Sequence, residues 1–489
     1  MSRSTERFRC DACGVAAHKW AGRCPSCHEW NTLAADLAPV PGAGRSDAFA
    51  RAVALSGVEG DGTLAQPTGI TEVDRVLGGG VVTGGVTLVF GPPGVGKSTL
   101  LFQVLASFAR RGAPVLLASA EESLAQVKGR ANRLGPVPDA LMVLAGHDVG
   151  AIEAAIASRP PALVVVDSIQ TICDPDSPGA TGSLNQIRHC VDRLTRLAKS
   201  SGVPMILVGH VTKDGDLAGP RTIEHMVDTV LSFEGDRHHS LRMLTAIKHR
   251  FGATGEVGIF EMGDDGLTGV ADPGELLLGD RMADVAGSVV IPVLQGRRPL
   301  LVEVQALLSP HGASPSARPR TLGIDASRAS LLLAVLGCRT ALGSLDAEVF
   351  VAAVGGISIT EPAVDLAVAL AVASAALAVA VPPDLVAFGE LGLAGEVRAV
   401  PGAERRISEA QRAGFGAALV PASTPSEAFA LAKGMEIHLV RTLDEALHHA
   451  FGSSARDQSD DAGRIGPERV TDAACGDTMP TWSSVAVSR

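Results

Sequence analysis

The sequence predicts an α/β protein with more than one domain. Its 489 residues are more than a single hydrophobic core usually supports, and 46% apolar with 19% charged residues is the composition of a folded chain. Aromatic residues make up 3% and Tyr is absent, so small aliphatic side chains must fill the cores. Short apolar runs, each followed by polar or charged residues, predict the strands of a parallel sheet.

The first predicted element is a metal-binding module. Four of the eight cysteines form two Cys-x-x-Cys pairs within the first 27 residues: Cys10, Cys13, Cys24 and Cys27. At this spacing four thiolates can surround one Zn²⁺ tetrahedrally. A module of about 30 residues buries too little surface to fold alone, so metal binding should supply its folding free energy.

Four other side chains lie near these cysteines. His18 and His28 are close enough in sequence to be zinc ligands, but four thiolates already complete the zinc shell. We therefore interpret both as surface residues or as residues that contact the ligands and not the metal. We expect Trp20 and Trp30 to pack over the metal. Stacking of an exposed Trp on a nucleic-acid base is the alternative.

A phosphate-binding loop follows the predicted strand Val86 to Phe90. In this strand–loop–helix context the glycines let backbone N–H groups converge on phosphate. Lys97 would reach the β- and γ-phosphates, and the Ser98 hydroxyl could bind Mg²⁺. The sequence therefore predicts a site for ATP and Mg²⁺. The loop residues are Gly91, Pro92, Pro93, Gly94, Val95, Gly96, Lys97, Ser98 and Thr99.

Three further predicted strands end in side chains suited to triphosphate chemistry. Residues 163–167 end in Asp167, which we expect to bind Mg²⁺. The strand 114–119 is followed by Glu121 and Glu122. Glu121 is favoured for orienting the attacking water, and a helix-start role for both is the alternative.

The last of these strands, residues 204–209, is followed by His210. This side chain could sense the γ-phosphate from its place at the strand end. A hydrogen-bonded structural histidine is the alternative.

Together these motifs resemble the bacterial RadA (Sms) DNA-repair family of RecA-like ATPases. The resemblance covers about residues 9–451 and rests on the four-cysteine segment, residues 68–80, the phosphate-binding loop and residues 224–228. It implies a DNA-dependent ATPase of recombinational repair that promotes branch migration as a ring, with a hexamer expected. The implied partners are single-stranded and branched DNA and a RecA-type recombinase.

The family's Lys-Asn-Arg-Phe-Gly motif stands here as residues 248–252, with His249 in place of Asn. Resemblance to RecA-like ring ATPases implies that Lys248 and Arg250 reach across a subunit interface to the neighbour's γ-phosphate. A solvated basic strand end is the alternative. The role of His249 stays open.

Residues from about 286 to 451 resemble the proteolytic domain of Lon proteases, on the basis of residues 355–367 and 389–398. Ala363 stands where the protease has its nucleophilic Ser, and Glu404 stands where it has Lys. A Ser–Lys dyad needs a hydroxyl and an amine, so we predict an inactive domain that acts as a scaffold. An ATP-dependent protease and an ATP-switched recombinase-binding module are the alternative functions.

The formal charge of −11 excludes an electrostatic coating of nucleic acid, so DNA contacts must be local. No secretory signal is evident, and the longest uncharged apolar run, Leu366 to Val381, is too short to span a bilayer. We read that run as a buried helix and expect a cytoplasmic protein. The candidate DNA contacts are Arg297, Arg298, Arg318, Arg320 and Arg328, and solvated surface arginines are the alternative for each.

The predicted organisation follows from these motifs. It comprises a zinc ribbon at 1–34, a linker at 35–60, a RecA-like ATPase domain at 61–275, a Lon-like domain at 286–452 and a disordered tail at 453–489.

Overall fold

The computed structural model describes residues 8–10, 15–17, 21–26, 28, 30, 33–35, 65–210, 223–235, 241–310, 319–345, 347–430, 432 and 434–452. The chain divides into two compact units between Thr63 and Leu64. The predicted tail and most of the predicted linker lie outside the described residues. The first unit contains an antiparallel sheet in the order β2-β1-β3, formed by β1 (Phe8–Cys10), β2 (Ala16–Ala17) and β3 (Leu33–Ala35).

The second unit begins with the predicted ATPase domain. Its strands are β4 (Ala65–Gln66), β5 (Val81–Val82), β6 (Val86–Gly91), β7 (Val115–Ser119), β8 (Leu141–Ala145), β9 (Leu163–Asp167), β10 (Met205–His210), β11 (Thr229–Glu234), β12 (Leu241–His249), β13 (Val257–Gly263) and β14 (Gly266–Gly269). Its helices are α1 (Thr71–Val76), α2 (Lys97–Arg110), α3 (Leu124–Arg133), α4 (Val149–Ser158), α5 (Leu184–Ser201) and α6 (Pro273–Leu278).

Within the described residues, nine of these strands form one sheet in the order β14-β13-β12-β11-β6-β10-β9-β7-β8. The strands from β11 to β8 are parallel, and β12 to β14 extend the sheet in antiparallel fashion. Separate apolar clusters cover the two faces, with α2 on one and α4 and α5 on the other. A strand covered on both faces is apolar throughout, which is why β9 reads as a continuous apolar run.

The strands predicted from apolar runs are present within one residue of their expected ends. Parallel strands bring their carboxyl ends to the same edge of a sheet. The polar residues that follow β6, β7, β9 and β10 therefore meet at one edge, as the α/β prediction requires.

The Lon-like part has a second sheet, in the order β17-β18-β16-β15-β19-β22-β23. Its strands are β15 (Ser288–Gln295), β16 (Arg298–Pro310), β17 (Arg320–Leu322), β18 (Ala347–Ala353), β19 (Leu385–Ala387), β22 (Ala417–Pro421) and β23 (Glu436–Val440), and a small hairpin is formed by β20 (Glu390–Leu391) and β21 (Val397–Arg398). Its helices are α7 (Ala326–Arg339), α8 (Val364–Leu377), α9 (Ala403–Arg412) and α10 (Leu443–Phe451).

Helix α8 confirms the prediction of a buried helix in the long apolar run. Nearly all its residues are buried, because the sheet, α7 and α10 surround it. Small side chains such as Ala369 and Ala373 permit this close packing. In the part of the chain that is described, every helix is too short or too polar to cross a membrane.

Candidate active site

The carboxyl ends of the parallel strands form the edge of the sheet that carries the candidate site. The phosphate-binding loop leaves β6 here and continues directly into α2. Gly96, which precedes α2, has a φ of 109°, a conformation that a side chain would strain. The end of the loop therefore lies at a helix N-terminus, where backbone N–H groups and the helix dipole favour an anion.

Lys97 is the first residue of α2, and its side chain is buried against the loop. Its Nζ donates hydrogen bonds to the carbonyl oxygens of Gly91, at 2.7 Å, and Pro92, at 3.0 Å. Burial lowers the pKa of Lys97 to about 8, against the opposing effect of the Asp167 and Glu121 charges. A phosphate bound here would meet an amine that is already oriented and poorly hydrated.

Two carboxylates meet at the ends of neighbouring strands. β7 and β9 pair with Ser119 opposite Asp167, so the residues after β7 come close to the end of β9. Ser168 Oγ donates a hydrogen bond of 2.5 Å to Glu121 Oε1. His210 Nε2 lies 3.4 Å from the same Glu121 oxygen. Glu121 is thereby tied to the residue next to Asp167 and to the end of β10.

Glu122 has different surroundings from Glu121. Its Oε2 lies 2.9 Å from Arg130 Nη2 in α3, and its backbone N–H donates to Ser119 Oγ at 3.3 Å. The helix-start alternative therefore fits Glu122. Glu121 lies among the groups of the candidate site and stays our candidate for orienting water.

A second cation, Arg242, contacts the loop and was not identified from the sequence. It lies near the start of β12, and its Nε donates to the carbonyl oxygen of Val95 at 3.2 Å. An isolated arginine in a strand of mixed polarity carries no sequence signal. Only the pairing of β12 with β11 brings it to this edge of the sheet.

Lys248 and Arg250 lie at the opposite edge of the sheet. In β11, Thr229 stands opposite both Thr87 and His249, so the end of β12 is level with the start of β6. The phosphate-binding loop follows the other end of β6. A strand of this length spans about 15–20 Å, which separates the two cations from the loop of their own chain.

Backbone and side-chain oxygens of one segment hold these two cations. Lys248 Nζ donates to the carbonyl oxygens of Glu224, at 2.7 Å, and Val227, at 2.8 Å. Arg250 Nη1 pairs with Asp228 Oδ1 at 3.0 Å. Burial, together with the nearby Arg250 charge, holds the pKa of Lys248 below its ordinary value.

His249 is a packing residue. Its ring is buried, with Nδ1 2.9 Å from Thr229 Oγ1 and Nε2 3.2 Å from the carbonyl oxygen of Leu77. Burial lowers its pKa, which favours the neutral ring. The residue that departs from the family motif therefore joins the end of β12 to the segment after α1.

In the four-cysteine module, Cys24 is buried and the backbone N–H of Ser26 lies 3.4 Å from its Sγ. An N–H directed at sulfur two residues earlier suits a thiolate that binds metal in a Cys-x-x-Cys turn. Cys13, Cys27 and the side chain of Cys10 lie outside the described residues.

Of the two tryptophans expected to pack over the metal, the structure describes Trp30. The expectation that Trp30 packs over a metal is wrong, because 68% of its surface is exposed. Its ring instead contacts the guanidinium of Arg23, which lies 5.8 Å from the ring centre. His28 is exposed, as expected. His18 and Trp20 fall outside the described residues.

Three segments of the chain match models of known protein families. Residues 60–216 match the model of an AAA domain, residues 8–35 a rubredoxin metal binding domain, and residues 355–424 the subunit ChlI of Mg-chelatase. The chain is 43% identical over 459 residues to the DNA repair protein RadA of Bacillus subtilis, a match covering 92% of this chain and 100% of the relative.

Two other relatives agree. The DNA repair protein RadA of Mycobacterium tuberculosis is 46% identical over 430 residues, covering 86% of this chain and 89% of the relative. That of Listeria monocytogenes is 42% identical over 456 residues, covering 92% and 99%. The chain belongs to the RadA DNA repair protein family. Its fold is therefore an ATPase core with an N-terminal zinc ribbon and a C-terminal Lon-like domain.

In this RadA-family chain, the segments that resemble the Lon dyad meet through an ion pair. Ala363 is buried immediately before α8, and Glu404 is exposed in the first turn of α9. Arg406 is fully buried and binds both Glu361 oxygens, at 2.8 and 2.6 Å. It also donates to the carbonyl oxygens of Pro292 and Pro401.

The prediction that Arg298 contacts DNA is wrong for this family member. Its side chain is only 10% exposed and forms an ion pair with Glu72 of α1. It also donates to the carbonyl oxygen of Val257 at 3.1 Å. An arginine that is nearly enclosed and joins two domains is not available to phosphates.

The other candidate arginines differ in their exposure. Arg328 is also a correction, because it pairs in two places with the buried Asp365. Arg320 is well exposed beside Glu348, at 2.9 Å, and Arg297 is partly exposed beside Glu256. Arg318 lies outside the described residues.

Proposed function

We propose that this protein is a DNA-dependent ATPase of recombinational repair that promotes branch migration as a ring-shaped motor. The observation that carries the proposal is the convergence of Lys97, Asp167 and Glu121 at the loop edge of the sheet. The same chain matches DNA repair proteins RadA over most of its length. Single-stranded and branched DNA, and a RecA-type recombinase, are the proposed partners.

The residues at the loop edge suit ATP hydrolysis. The loop N–H groups would bind the phosphates, and Lys97 would exchange its two carbonyl partners for phosphate oxygens. Ser98 and Asp167 would hold Mg²⁺, which neutralises charge on the phosphates. Glu121 would orient the attacking water, and its contacts with Ser168 and His210 hold its carboxylate in place.

Lys248 and Arg250, together called the finger below, would act on the nucleotide of a neighbouring subunit. Their distance from the loop of their own chain supports this arrangement, because one strand length separates the two. A finger supplied in trans requires a ring or filament in which each interface repeats. A hexamer is the ring proposed by resemblance, with the Lon-like domain as its scaffold.

The ribbon is proposed to hold one Zn²⁺ per chain through Cys10, Cys13, Cys24 and Cys27. The buried Cys24 sulfur and the N–H directed at it support this assignment. Elemental analysis of protein purified under reducing conditions should give one zinc per chain. Replacement of Cys24 by Ser should lower that ratio, and zinc-free wild-type protein would contradict the assignment.

Branch migration assays test the motor directly. Synthetic junctions with homologous arms should be converted to products by the wild-type protein with ATP and Mg²⁺, and not without ATP. Lys97→Ala should retain its fold and lose both this conversion and DNA-stimulated hydrolysis. If ATP changes only the binding of recombinase and no strands move, an ATP-switched binding module replaces the motor.

A further inference from the structure

The hairpin formed by β15 and β16 in the Lon-like domain contacts the ATPase domain through its tip. The backbone N–H of Arg297 donates a hydrogen bond of 2.6 Å to the carbonyl oxygen of Gly255. A Cβ added at Gly296 would collide with that same oxygen, and Gly296 has a φ of 58°. Both the close approach and the backbone conformation therefore require glycine at the tip.

Charged side chains extend this contact on either side. Arg297 Nε lies 3.4 Å from Glu256 Oε1. Arg298 pairs with Glu72 and donates to the Val257 carbonyl oxygen at 3.1 Å. The Glu72 carboxylate also accepts a hydrogen bond from the backbone of β13, so Arg298 joins a buried polar cluster.

The contacted segment is the connection from β12 to β13, which begins at the finger. Gly255 donates to the Ala246 carbonyl oxygen at 2.8 Å, and Ala246 donates to the Glu256 carbonyl oxygen at 3.0 Å. These two bonds close a loop that contains Lys248 and Arg250. The ATPase domain holds the first part of the loop through Asp228, and the hairpin tip holds its last part.

We propose that Gly296 and Arg298 are positioning residues for the finger of their own chain. The Lon-like domain then sets the geometry of ATP hydrolysis in the adjacent subunit, in addition to any role as a scaffold. The inference rests on the proposed function in one respect, namely that the finger acts in trans. It explains why a domain without protease groups contacts this particular loop.

The position of the finger decides which kinetic constant changes. The phosphate-binding loop is one strand length away, so displacement of the finger leaves ATP binding by the same chain intact. In the neighbouring subunit the finger would act on charge that develops in the transition state rather than on ATP as it first binds. Misplacing a transition-state cation by about 1 Å lowers kcat by about 10²-fold. Loss of the hairpin contact should therefore lower kcat at an unchanged KM for ATP.

The test uses full-length Gly296→Ala protein, with Gly343→Ala as the matched control. Gly343 lies in the same domain with a φ of 65°, and a Cβ there would meet no atom within 4 Å. Gly296→Ala should lower kcat by about 10²-fold at constant KM. Gly343→Ala, which has the same backbone strain without the contact, should keep kcat within about twofold of wild type.

Mixed assemblies separate a finger defect from general damage. Gly296→Ala subunits keep an intact phosphate-binding loop, so mixing them with Lys97→Ala subunits, whose finger is intact, should restore activity. Mixing them with Arg250→Ala subunits should restore none, because both variants have a defective finger. A generally misfolded subunit would fail with both partners.

Arg298→Lys is the second variant in case Gly296→Ala does not fold. The ammonium retains the charge opposite Glu72 but cannot reach all the carbonyl oxygens that the guanidinium contacts. Like Gly296→Ala, it should recover activity when mixed with Lys97→Ala subunits and not when mixed with Arg250→Ala subunits. Its loss of kcat should be smaller.

Two results would overturn the inference. The first is wild-type kcat in folded Gly296→Ala or Arg298→Lys protein. The second is failure of both variants to recover activity with Lys97→Ala while Arg250→Ala recovers it. If Arg250→Ala and Lys97→Ala also fail to complement each other in verified mixed assemblies, the finger in trans is wrong, and the proposed function loses that part.

Discussion

Two buried cations, one in each domain, have contrasting surroundings. Lys97 lies on the phosphate-binding loop, donates to two loop carbonyl oxygens and has a pKa lowered to about 8. Arg406 lies where the Lon-like segments meet, is fully buried and binds both oxygens of Glu361. Both positions are ones at which a cation could take part in catalysis.

The difference between them distinguishes a reactive site from a structural one. The partners of Lys97 are loop carbonyl oxygens that phosphate oxygens can replace, so the site gains from a ligand. The partners of Arg406 are a fixed carboxylate and the carbonyl oxygens of Pro292 and Pro401, so a ligand would have to break existing bonds. Ala363 lies two residues from Glu361 in the sequence, and the contrast supports the proposal that the Lon-like domain acts as a scaffold while the ATPase domain carries out the chemistry.

The largest expected effect is at the phosphate-binding site, on the side of the comparison that Lys97 represents. Glu121→Gln should lower kcat for ATP hydrolysis by about 10²- to 10⁴-fold, because an amide cannot act as the base that orients and deprotonates water. ATP binding, measured by calorimetry, should be retained. Glu122→Gln is the matched control and should keep most activity, since Glu122 pairs with Arg130. The reverse order of the two variants would assign the role to Glu122.

The structural role of the Arg406–Glu361 ion pair is tested by measuring the free energy of unfolding. Glu361→Ala leaves Arg406 buried without its carboxylate, which should lower the unfolding free energy of the Lon-like domain by about 3 kcal/mol. Denaturant unfolding measures this, and Glu436→Ala is the control at an exposed carboxylate. If the unfolding free energy falls by less than about 1 kcal/mol, the Arg406–Glu361 pair contributes no more than an ordinary surface ion pair. The proposed difference between Arg406 and Lys97 would then be wrong.

The smallest expected effect concerns proton uptake by Lys97. Its pKa is about 8 in the free protein, and bound phosphate favours the charged amine. Below pH about 8 the amine is charged in both states and no proton is taken up. Above pH about 8, up to the pKa of the amine in the ATP-bound state, ATP binding should take up a proton and weaken by up to about tenfold per pH unit.

Calorimetry at about pH 9, in buffers of different ionisation enthalpy, measures this uptake. Lys97→Arg should show none, because a guanidinium stays charged at this pH. Absence of uptake in the wild-type protein would mean that ATP binding does not change the protonation state of Lys97, which would contradict the predicted difference from Arg406.

The sequence predicted the elements that have a local signal. The apolar runs gave β6, β7, β9 and β10, and the glycine-rich loop gave the start of α2. Because parallel strands share an edge, the approach of Asp167 and Glu121 to Lys97 followed from these same strands.

Contacts between distant segments were beyond sequence reasoning. Arg298 has the same sequence character as an exposed arginine, and only the packing of the β15–β16 hairpin on α1 buries it beside Glu72. Arg242 reaches the loop through the pairing of β11 with β12. His249 and Trp30 likewise depend on neighbours that the local sequence does not specify.

Mixing Lys97→Ala and Arg250→Ala subunits tests the central claim most directly. Each variant alone should hydrolyse almost no ATP, the first for want of a loop cation and the second for want of a finger. In a closed ring of randomly mixed subunits, roughly a quarter of the interfaces pair an intact loop with an intact finger. The account predicts recovery of about that fraction of DNA-stimulated hydrolysis in equal mixtures. No recovery, in assemblies that native mass spectrometry proves to be mixed, would contradict catalysis across the interface.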